Sequence, residues 1–348
     1  MALRIGLAYN QKPSGDEEPP SSEGEPPPPA GDRYAEWDEP ATIDAVAAAL
    51  GRLGEVIRLE AVADFPARLC DSRPDIVFNI AEGRTGPNRE AHVPAICEFF
   101  DIPYTGSDPL TLSLALDKRR AKEIFRARGV PTPPYVVVDP ALGRPPARYP
   151  LPAIVKPLFE GSSKGIPDRA YCTTHEAVRR RVAEVLAGYR QPALVERFLP
   201  GREFTCAILG NGAAARTLPI VEVRLDALPA GAAPIYGYEA KWVWDTAEAP
   251  LEIFACPADV EPALARAIER TALAAHRALG CRDWSRVDLR LDERGRPQVI
   301  EVNPLPGILP DPRQNSCFPK AARAAGMDYD TLIASVLRAA LARHGIAA

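Results

Sequence analysis

The sequence predicts an α/β (α+β) protein built from three compact units. Up to about residue 105, strand-like apolar runs alternate with segments of helical periodicity, which is typical of a parallel α/β layer. Farther along, two pairs of strand-like runs flank turn sequences, which indicates antiparallel hairpins. The chain of 348 residues is also longer than one ordinary hydrophobic core requires. We therefore predict units at residues 1–105, 106–201 and 202–348.

The composition favours a protein that acts on small molecules. The formal net charge of -4 gives no electrostatic reason to expect nucleic acid or a membrane surface as a partner. No apolar run approaches the roughly 18 residues of a membrane span, and the first apolar run is too short for a signal peptide. The seven cysteines form no CxxC pair, which favours reduced thiols over a disulfide framework. We expect a cytoplasmic protein.

The first unit is expected to contain three strands and two helices. The strand-like runs are "LRIGLAY", "EVIRLEA" and "DIVFNIA". A helix is predicted from Pro40 to Gly54, because apolar residues recur between them at helical spacing, and a second helix lies in "EAHVPAICEFF". Between the first strand and the first helix, the Pro- and Glu-rich segment 11–36 has few aliphatic residues and is predicted to be disordered.

The second and third units combine helices with antiparallel strands. One long helix is predicted in "DPLTLSLALDKRRAKEIFRARG", followed by strands in "PPYVVV", "PAIVKP" and "PALVERFL", with a helix near 175–188 before the last strand. In the third unit, the Asn-Gly turn within "EFTCAILGNGAAARTLPIVEV" predicts a hairpin. A helix near 259–279, a second hairpin around "DERG" and a final helix near 328–344 complete the chain.

The second hairpin carries a candidate metal site. Strand alternation places Asp288 on the polar face of the first strand, and Glu301 and Asn303 on one face of the returning strand. An even-numbered tight connection at "DERG" would bring the three side chains together, whereas a slip of one residue would separate them. Such oxygen ligands suit Mg²⁺ that also binds phosphates and water, which implies a nucleotide partner. The alternative is a pair of surface carboxylates bridged to Arg286 and Arg290.

A second set of residues is a candidate for binding a nucleotide. In "IVKPLFEGSSKG", Lys156 ends an apolar strand, and the following loop is rich in the backbone and hydroxyl donors that surround phosphates. It is not a Walker A loop, because the lysine precedes the glycines. Lys118 and Lys241 are further candidate phosphate contacts, although a lone lysine is usually a surface charge. In "LVERFLPGREF", Glu196 and Glu203 flank an apolar slot of the kind that holds a nucleoside.

Motifs of several other enzyme classes are absent from the sequence. There is no GxSxG, no HExxH and no Rossmann glycine fingerprint, and the four histidines lack metal-ligand spacing. The sequence therefore argues against acyl-enzyme and zinc chemistry.

Six motifs, in this order, resemble the D-alanyl-D-alanine ligase branch of the ATP-grasp superfamily over about residues 35–345. They are "PYTGSDPLTLSLALDK", "IVKPLFEGSSKG", "ERFLPGREFTCAILG", "YGYEAK", "LGCRDWSRVDLRLD" and "IEVNPLPG". The resemblance implies a three-domain ATP-grasp fold, with ATP between the sheets of the central and C-terminal domains. It also implies an ADP-forming ligase that makes an acyl phosphate and then a peptide bond, as in peptidoglycan synthesis, and it implies a homodimer.

The resemblance also implies a role for each matching residue. It assigns phosphate contacts to Lys118, Lys156 and Lys241, adenine and ribose contacts to Glu196 and Glu203, and backbone contacts to the base at Phe198 and Leu199. It assigns two Mg²⁺ ions, with Mn²⁺ as an alternative, to Asp288, Glu301 and Asn303, and the developing oxyanion to Arg286 and the N–H of Gly307. It assigns closure over the substrate to Ser162, the first substrate's ammonium to Glu39, and the second substrate's carboxylate to Ser316.

Three departures from the family pattern concern the substrates. Glu82 stands where the family has a histidine, so a positive or neutral group becomes negative. Trp242 replaces a tyrosine that locks the closing loop, and an indole cannot accept a hydrogen bond. The loop at 307–319 is longer than expected. The departures leave open a ligase for other amino acids or a specialised metabolite. A nucleotide-binding regulatory protein is a further alternative, against which the intact catalytic set argues.

Overall fold

The computed structural model describes residues 2–13, 34–143, 145–246 and 249–347. The helices are α1 (Pro40–Gly51), α2 (Phe65–Ser72), α3 (His92–Phe99), α4 (Pro109–Leu116), α5 (Lys118–Ala127), α6 (His175–Tyr189), α7 (Pro262–Leu279), α8 (Cys317–Ala324) and α9 (Tyr329–His344). The strands are β1 (Leu3–Tyr9), β2 (Gly54–Glu60), β3 (Ile76–Asn79), β4 (Tyr135–Val138), β5 (Ala153–Pro157), β6 (Tyr171–Cys172), β7 (Ala193–Arg197), β8 (Glu203–Leu209), β9 (Arg216–Thr217), β10 (Val221–Val223), β11 (Phe254–Ala255), β12 (Trp284–Leu291) and β13 (Pro297–Asn303).

The strands form three sheets, each of which lies within one of the predicted units. The first sheet is parallel, with β1 between β2 and β3, so the carboxyl ends of its strands share one edge. The second is antiparallel in the order β4-β7-β5-β6. The third is antiparallel in the order β11-β10-β8-β12-β13, with β9 paired to β8. The predicted mixture of parallel and antiparallel layers is confirmed, while the domain boundaries themselves stay predictions.

The segment before α1 is partly described. Residues 14–33 of the predicted disordered segment lie outside the described residues, but the prediction is wrong for its ends, 11–13 and 34–36. The backbone N–H of Lys12 donates to the carbonyl of Asp38 at 2.9 Å, and Glu36 makes buried ion pairs. Backbone pairing and ion pairs therefore order these residues without the aliphatic side chains that the composition lacks.

The single helix predicted across residues 108–129 is wrong, because the chain breaks it at Asp117. Asp117 has an extended backbone, and its side chain accepts hydrogen bonds from the N–H groups of Arg119 and Arg120. It thereby ends α4 and caps the N-terminus of α5. The break leaves Lys118 as the first residue of α5.

One hydrophobic cluster contains residues of the first unit and of the last helix. Helix α9 packs on α1, and a shared cluster includes Ile43 and Val46 from α1 and Leu332 and Val336 from α9. A second cluster lies between α7 and the back of the third sheet, where Val287 is buried as strand alternation predicts. Within the described ranges, no helix is long and apolar enough to cross a membrane. All seven cysteines are free thiols.

Candidate active site

A β-bulge sets the register of the hairpin that carries the predicted metal ligands. Residues 292–296 connect β12 to β13, and the pairs nearest this connection would place Asp288 opposite Ile300. The register shifts by one residue at Asp288, which pairs with Glu301 instead. Paired residues of an antiparallel ladder share a face, so the bulge brings Asp288, Glu301 and Asn303 together. The connection has an odd number of residues, so the even-numbered connection on which the predicted pairing depended is absent, and the bulge restores that pairing.

Asp288 is held in one orientation by three side chains. Arg286 donates from Nε to Oδ1 at 3.0 Å and from Nη2 to Oδ2 at 2.8 Å. The hydroxyl of Thr205 donates to Oδ1 at 2.6 Å, and the amide of Asn303 donates to Oδ2 at 3.1 Å. The predicted pairing with Arg286 is therefore present, but inside the cleft and not on an open surface, since both side chains are largely buried. Asp288 is therefore a fixed carboxylate with a guanidinium beside it.

Lys118 links Glu301, one of the predicted metal ligands, to the loop that follows β5. Its Nζ lies 3.4 Å from Oε2 of Glu301 and donates to the backbone carbonyl of Glu160. Burial alone would raise the pKa of Glu301, but the charges of Lys118, Lys156 and Arg286 hold it at about 2. Glu301 is thus ionised at neutral pH, as a metal ligand or a phosphate-facing carboxylate requires.

Glu196 lies between two buried lysines, one of which the sequence analysis does not single out. Lys156 Nζ lies 3.1 Å from Oε2, and Lys122 Nζ contacts Oε1. Burial would raise the pKa of Glu196, but the two ammonium groups lower it below its usual value. Lys122 follows Lys118 by one helical turn on the buried face of α5. Helical periodicity was therefore the signal that could have found it.

Glu203 and Phe198 share a cluster with Arg290. Oε2 of Glu203 accepts a hydrogen bond from Nη1 of Arg290 at 3.0 Å, and the same guanidinium lies 4.4 Å from the centre of the Phe198 ring. Leu199 is buried next to Phe198 in the chain. The predicted nucleoside contacts therefore lie at the junction of the second and third sheets, where β7 ends and β8 begins.

A buried ion cluster ties the loop at 160–165 to the parallel layer. Glu36, whose side chain is 6% exposed, accepts from the N–H of Gly161 at 2.9 Å and from Nζ of Lys164 at 3.0 Å. Arg89 donates to both of its oxygens at 2.8–3.1 Å. Burial would raise the pKa of Glu36, but Arg89 and Lys164 lower it to about 2. Glu36 is another functional candidate that the sequence analysis misses.

Glu39 does not belong to this cluster, and its assignment to the first substrate's ammonium stays a prediction. Its side chain is 56% exposed and pairs with Nζ of Lys12 at 3.0 Å. The chain turns at residues 34–37, which directs Glu36 inward, while Glu39 occupies the N-cap position of α1. The spacing to Gly54 could not reveal this turn.

The loop at 160–165 also contacts the segment around Trp242. Ser162 and Ser163 have φ values of 50° and 59°, which are uncommon for residues other than glycine. The carbonyl of Ser162 accepts a hydrogen bond from Nε1 of Trp242 at 3.0 Å, and Ser163 Oγ donates to the carbonyl of Tyr236 at 3.2 Å. Trp242 cannot accept a hydrogen bond but donates one, so it holds the loop through the backbone.

Lys241 precedes Trp242 in a short π-helix, Ala240–Trp244. Burial lowers the pKa of Lys241 to about 8, and the positive charge of Arg286 adds to the effect. π-Helical turns are rare and often occur at functional sites. The structure thus brings Lys241 and Arg286 to the same region.

Glu82 lies among other carboxyl groups at the carboxyl edge of the parallel sheet. Burial raises its pKa well above the usual value, and the charges of Glu90, Glu36 and Asp38 raise it further. Burial also raises the pKa values of Glu90 and Asp38, to about 7 in each case. The glutamate that replaces the family's histidine therefore belongs to a larger group of acidic side chains next to Glu36, and its raised pKa disfavours the negative form that we expected.

Ser316 and Gly307 are joined across one loop. Oγ of Ser316 donates to the carbonyl of Gly307 and accepts from the N–H of Leu309, both at 3.2 Å. The loop ends at Ser316, because α8 begins at Cys317, and its greater length relative to the family stays a prediction. Ser316 therefore stands at the start of α8, within the segment that follows β13.

The residues of the hairpin fit a magnesium site. Within the described ranges, no group of three or more His, Cys, Asp or Glu side chains is arranged to hold a metal ion. Asp288 and Glu301 supply two carboxylates, and Asn303 supplies an amide next to them. Such a small set of hard oxygen ligands suits Mg²⁺ that takes its remaining ligands from phosphates and water, and not an all-protein calcium site.

Comparison with known proteins places this geometry in a family. A family model described as the C-terminus of D-Ala D-Ala ligase matches residues 124–338. The D-alanine–D-alanine ligase of Bordetella pertussis strain Tohama I is 38% identical over 263 residues, which cover 75% of this chain and 77% of that protein. The chain belongs to the D-alanine–D-alanine ligase family. The protein is an ATP-dependent, ADP-forming ligase with the ATP-grasp fold, as the resemblance predicted.

The ligase is also similar to an uncharacterised protein and to a solved structure. An uncharacterised protein of Sinorhizobium fredii, y4sG, is 38% identical over 272 residues, which cover 77% of this chain and 75% of that protein. The crystal structure of D-alanine–D-alanine ligase from Bacillus anthracis complexed with ATP covers 99% of both chains, with a TM-score of 0.71 and 22% sequence identity. At that identity the similarity establishes the fold, which extends over the whole ligase.

Proposed function

We propose that the ligase joins two D-alanine molecules, using ATP to convert the first carboxylate into an acyl phosphate. A carboxylate is a poor electrophile, so phosphorylation makes it reactive toward the amine of the second substrate. The arrangement of Arg286, Asp288 and Glu301 opposite Lys118 is the observation that carries this proposal, because it sets cations and anionic ligands around one point. Such sites act mostly by positioning and electrostatics.

The proposed nucleotide contacts follow the two walls of the cleft. Lys118, Lys156 and Lys241 would neutralise phosphate oxygens, and all three are at least partly buried. Glu196 and Glu203 would bind adenine and ribose, with the backbone of Phe198 and Leu199 at the base. The positions of Glu196 and Phe198 at the end of β7, facing the third sheet, support this assignment.

Asp288, Glu301 and Asn303 would hold Mg²⁺, with Glu301 shared by two ions and Mn²⁺ as an alternative metal. When bound, the metal would neutralise the charge of the transferring phosphoryl group. Arg286 and the N–H of Gly307 would stabilise the oxyanion that forms when the second amine attacks. The hydrogen bond between Ser316 and Gly307 supports a site to which both residues belong. In this site Ser316 would bind the second substrate's carboxylate.

The substrate side of the cleft is the parallel layer. Glu36 and Glu82 would face the first substrate, and the loop that contains Ser162 would close over it. Trp242 would hold that loop, which excludes water from the acyl phosphate. We also propose a homodimer in the cytoplasm, without nucleic acid or membrane partners. The exposed Phe99 on α3 and Leu110 on α4 support the dimer, which light scattering of the purified protein would measure.

Phosphate release measured with ATP and Mg²⁺ over a panel of D- and L-amino acids, singly and in pairs, tests the proposed substrates. D-Alanine alone should stimulate phosphate release, and mass spectrometry should detect the dipeptide. Stimulation only by another amino acid would reassign the substrate. An absence of stimulation by every amino acid would contradict the proposed reaction.

The pKa of Lys241 predicts an alkaline limb in the pH profile. If the ammonium binds phosphate, kcat/KM for ATP should fall as the pH rises through about 8, because the protonated form is the active one. The Lys241→Arg variant should move this limb to higher pH, since arginine stays charged. Initial rates between pH 6.5 and 10 would measure it, and an unchanged limb in the variant would contradict the assignment.

A further inference from the structure

Lys122 makes contacts to both walls of the nucleotide cleft. Its side chain is only 1% exposed, although it carries an ammonium group. On one side it pairs with Glu196 on β7 of the second sheet. On the other side it donates to the backbone carbonyl of Ile300 on β13 of the third sheet, at 3.2 Å. One ammonium therefore connects the two sheets.

The contact on β13 falls at the bulge. Ile300 is the extra residue of the bulge and directly precedes Glu301. The side chain of Thr132 supports the same place, since its hydroxyl accepts from Lys122 at 2.9 Å and donates to the carbonyl of Val299 at 2.8 Å. Because β13 is an edge strand of its sheet, these side-chain bonds replace the partners that a further strand would supply.

The contact on β7 fixes the proposed adenine ligand. Glu196 receives one lysine on each oxygen, Lys122 on Oε1 and Lys156 on Oε2. Both lysines and the carboxylate are almost fully buried, so neither ammonium can turn to solvent. Removal of Lys122 would leave Glu196 with one lysine partner, Lys156. It would also remove the hydrogen bond that the ammonium donates to the carbonyl of Ile300.

We infer that Lys122 is a positioning residue that couples the base-binding end of the cleft to its metal-binding end, through Glu196 and the carbonyl of Ile300. This inference rests on the proposed nucleotide and metal sites. Lys122 itself need not touch ATP. Partners that orient the residues binding a metal or substrate are often worth 10–100-fold in affinity or activity.

The test compares Lys122→Met with Arg120→Met, which removes an exposed cation from the same helix. The Lys122→Met variant should raise both the KM for ATP and the Mg²⁺ concentration for half-maximal rate by roughly 10–100-fold. The Arg120 variant should leave both within about twofold. A merely structural role predicts a lower melting temperature with both constants unchanged, and that result would overturn the inference.

A second variant covers the case in which Lys122→Met does not fold. Thr132→Val removes the hydroxyl that supports the bulge but leaves the contact of Lys122 with Glu196. It should raise the Mg²⁺ requirement more than the KM for ATP, and the absence of a shift in both constants would contradict the coupling. Calorimetry with Mg²⁺ and a nonhydrolysable ATP analogue gives the same comparison without turnover. The inference can therefore be tested by binding alone, even if the wild-type protein uses none of the amino acids in the panel.

Discussion

Glu301→Gln should lower amino-acid-dependent phosphate release by roughly a thousand-fold. The substitution removes a carboxylate that is ionised, lies 3.4 Å from Lys118 and forms part of the proposed metal site. Metal ions at phosphoryl centres supply several kcal/mol of charge stabilisation, and each 1.4 kcal/mol corresponds to a factor of ten in rate. Steady-state phosphate release at saturating ATP measures the effect. Circular dichroism should show a folded protein with a lower melting temperature, because glutamine keeps the shape of the side chain but removes the charge that faces the buried Lys118.

Glu293→Gln is the matched control on the same hairpin. Glu293 lies in the connection between β12 and β13, where it is largely exposed and pairs with Arg197. Surface pairs of this kind contribute about 0–1 kcal/mol, so turnover should stay within about twofold of the wild type. Equal turnover in Glu301→Gln and the wild type would show that the metal lies elsewhere. Equal losses in both variants would indicate a fault in the hairpin as a whole.

The hairpin shows how far the sequence determines the site. Period-two alternation correctly placed Glu301 and Asn303 on one face of β13, and Asp288 on the polar face of β12, because the alternation holds locally around these residues. The sequence left the register open, and the odd-numbered connection at 292–296 would by itself put Ile300 opposite Asp288. The bulge at Ile300 restores the pairing with Glu301, and its side-chain support comes from Lys122, which is far away in the sequence. Local patterns cannot contain such long-range support.

The acidic side of the cleft was harder to predict than the nucleotide side. On the proposed nucleotide side, the predicted lysines and carboxylates lie at or next to the ends of strands and helices, where patterns and motifs identify them. Glu36 lies in a segment whose composition indicates disorder, and its partners Arg89 and Lys164 are 53 and 128 residues away. Nothing in the local sequence distinguishes it from Glu39. In the structure the two residues differ, because Glu36 is buried against the loop at 160–165 and Glu39 is exposed.

Glu36→Gln should both destabilise the protein and separate ATP hydrolysis from ligation. The substitution leaves Arg89 and Lys164 buried with a neutral amide between them. Breaking a buried ion pair typically costs 3–5 kcal/mol, and we expect roughly 3 kcal/mol, because Glu160 still pairs with both cations. The loop would lose part of its attachment to the parallel layer, so water should reach the acyl phosphate. The ratio of phosphate released to peptide formed should therefore rise several-fold.

The pH dependence of stability identifies the carboxylate responsible. The pKa of Glu36 is about 2 in the folded protein and 4.5 as the ordinary value, so its stabilisation is present above about pH 4.5 and is lost as the pH falls toward 2. The difference in unfolding free energy between the wild type and Glu36→Gln should shrink over that range, as denaturation at several pH values would show. Glu39→Gln is the matched control, with an expected change of at most about 1 kcal/mol and no excess phosphate release, because Glu39 is exposed. If Glu39→Gln uncouples the reaction and Glu36→Gln does not, the position predicted from the spacing to Gly54 is the functional one, and the buried cluster serves stability alone.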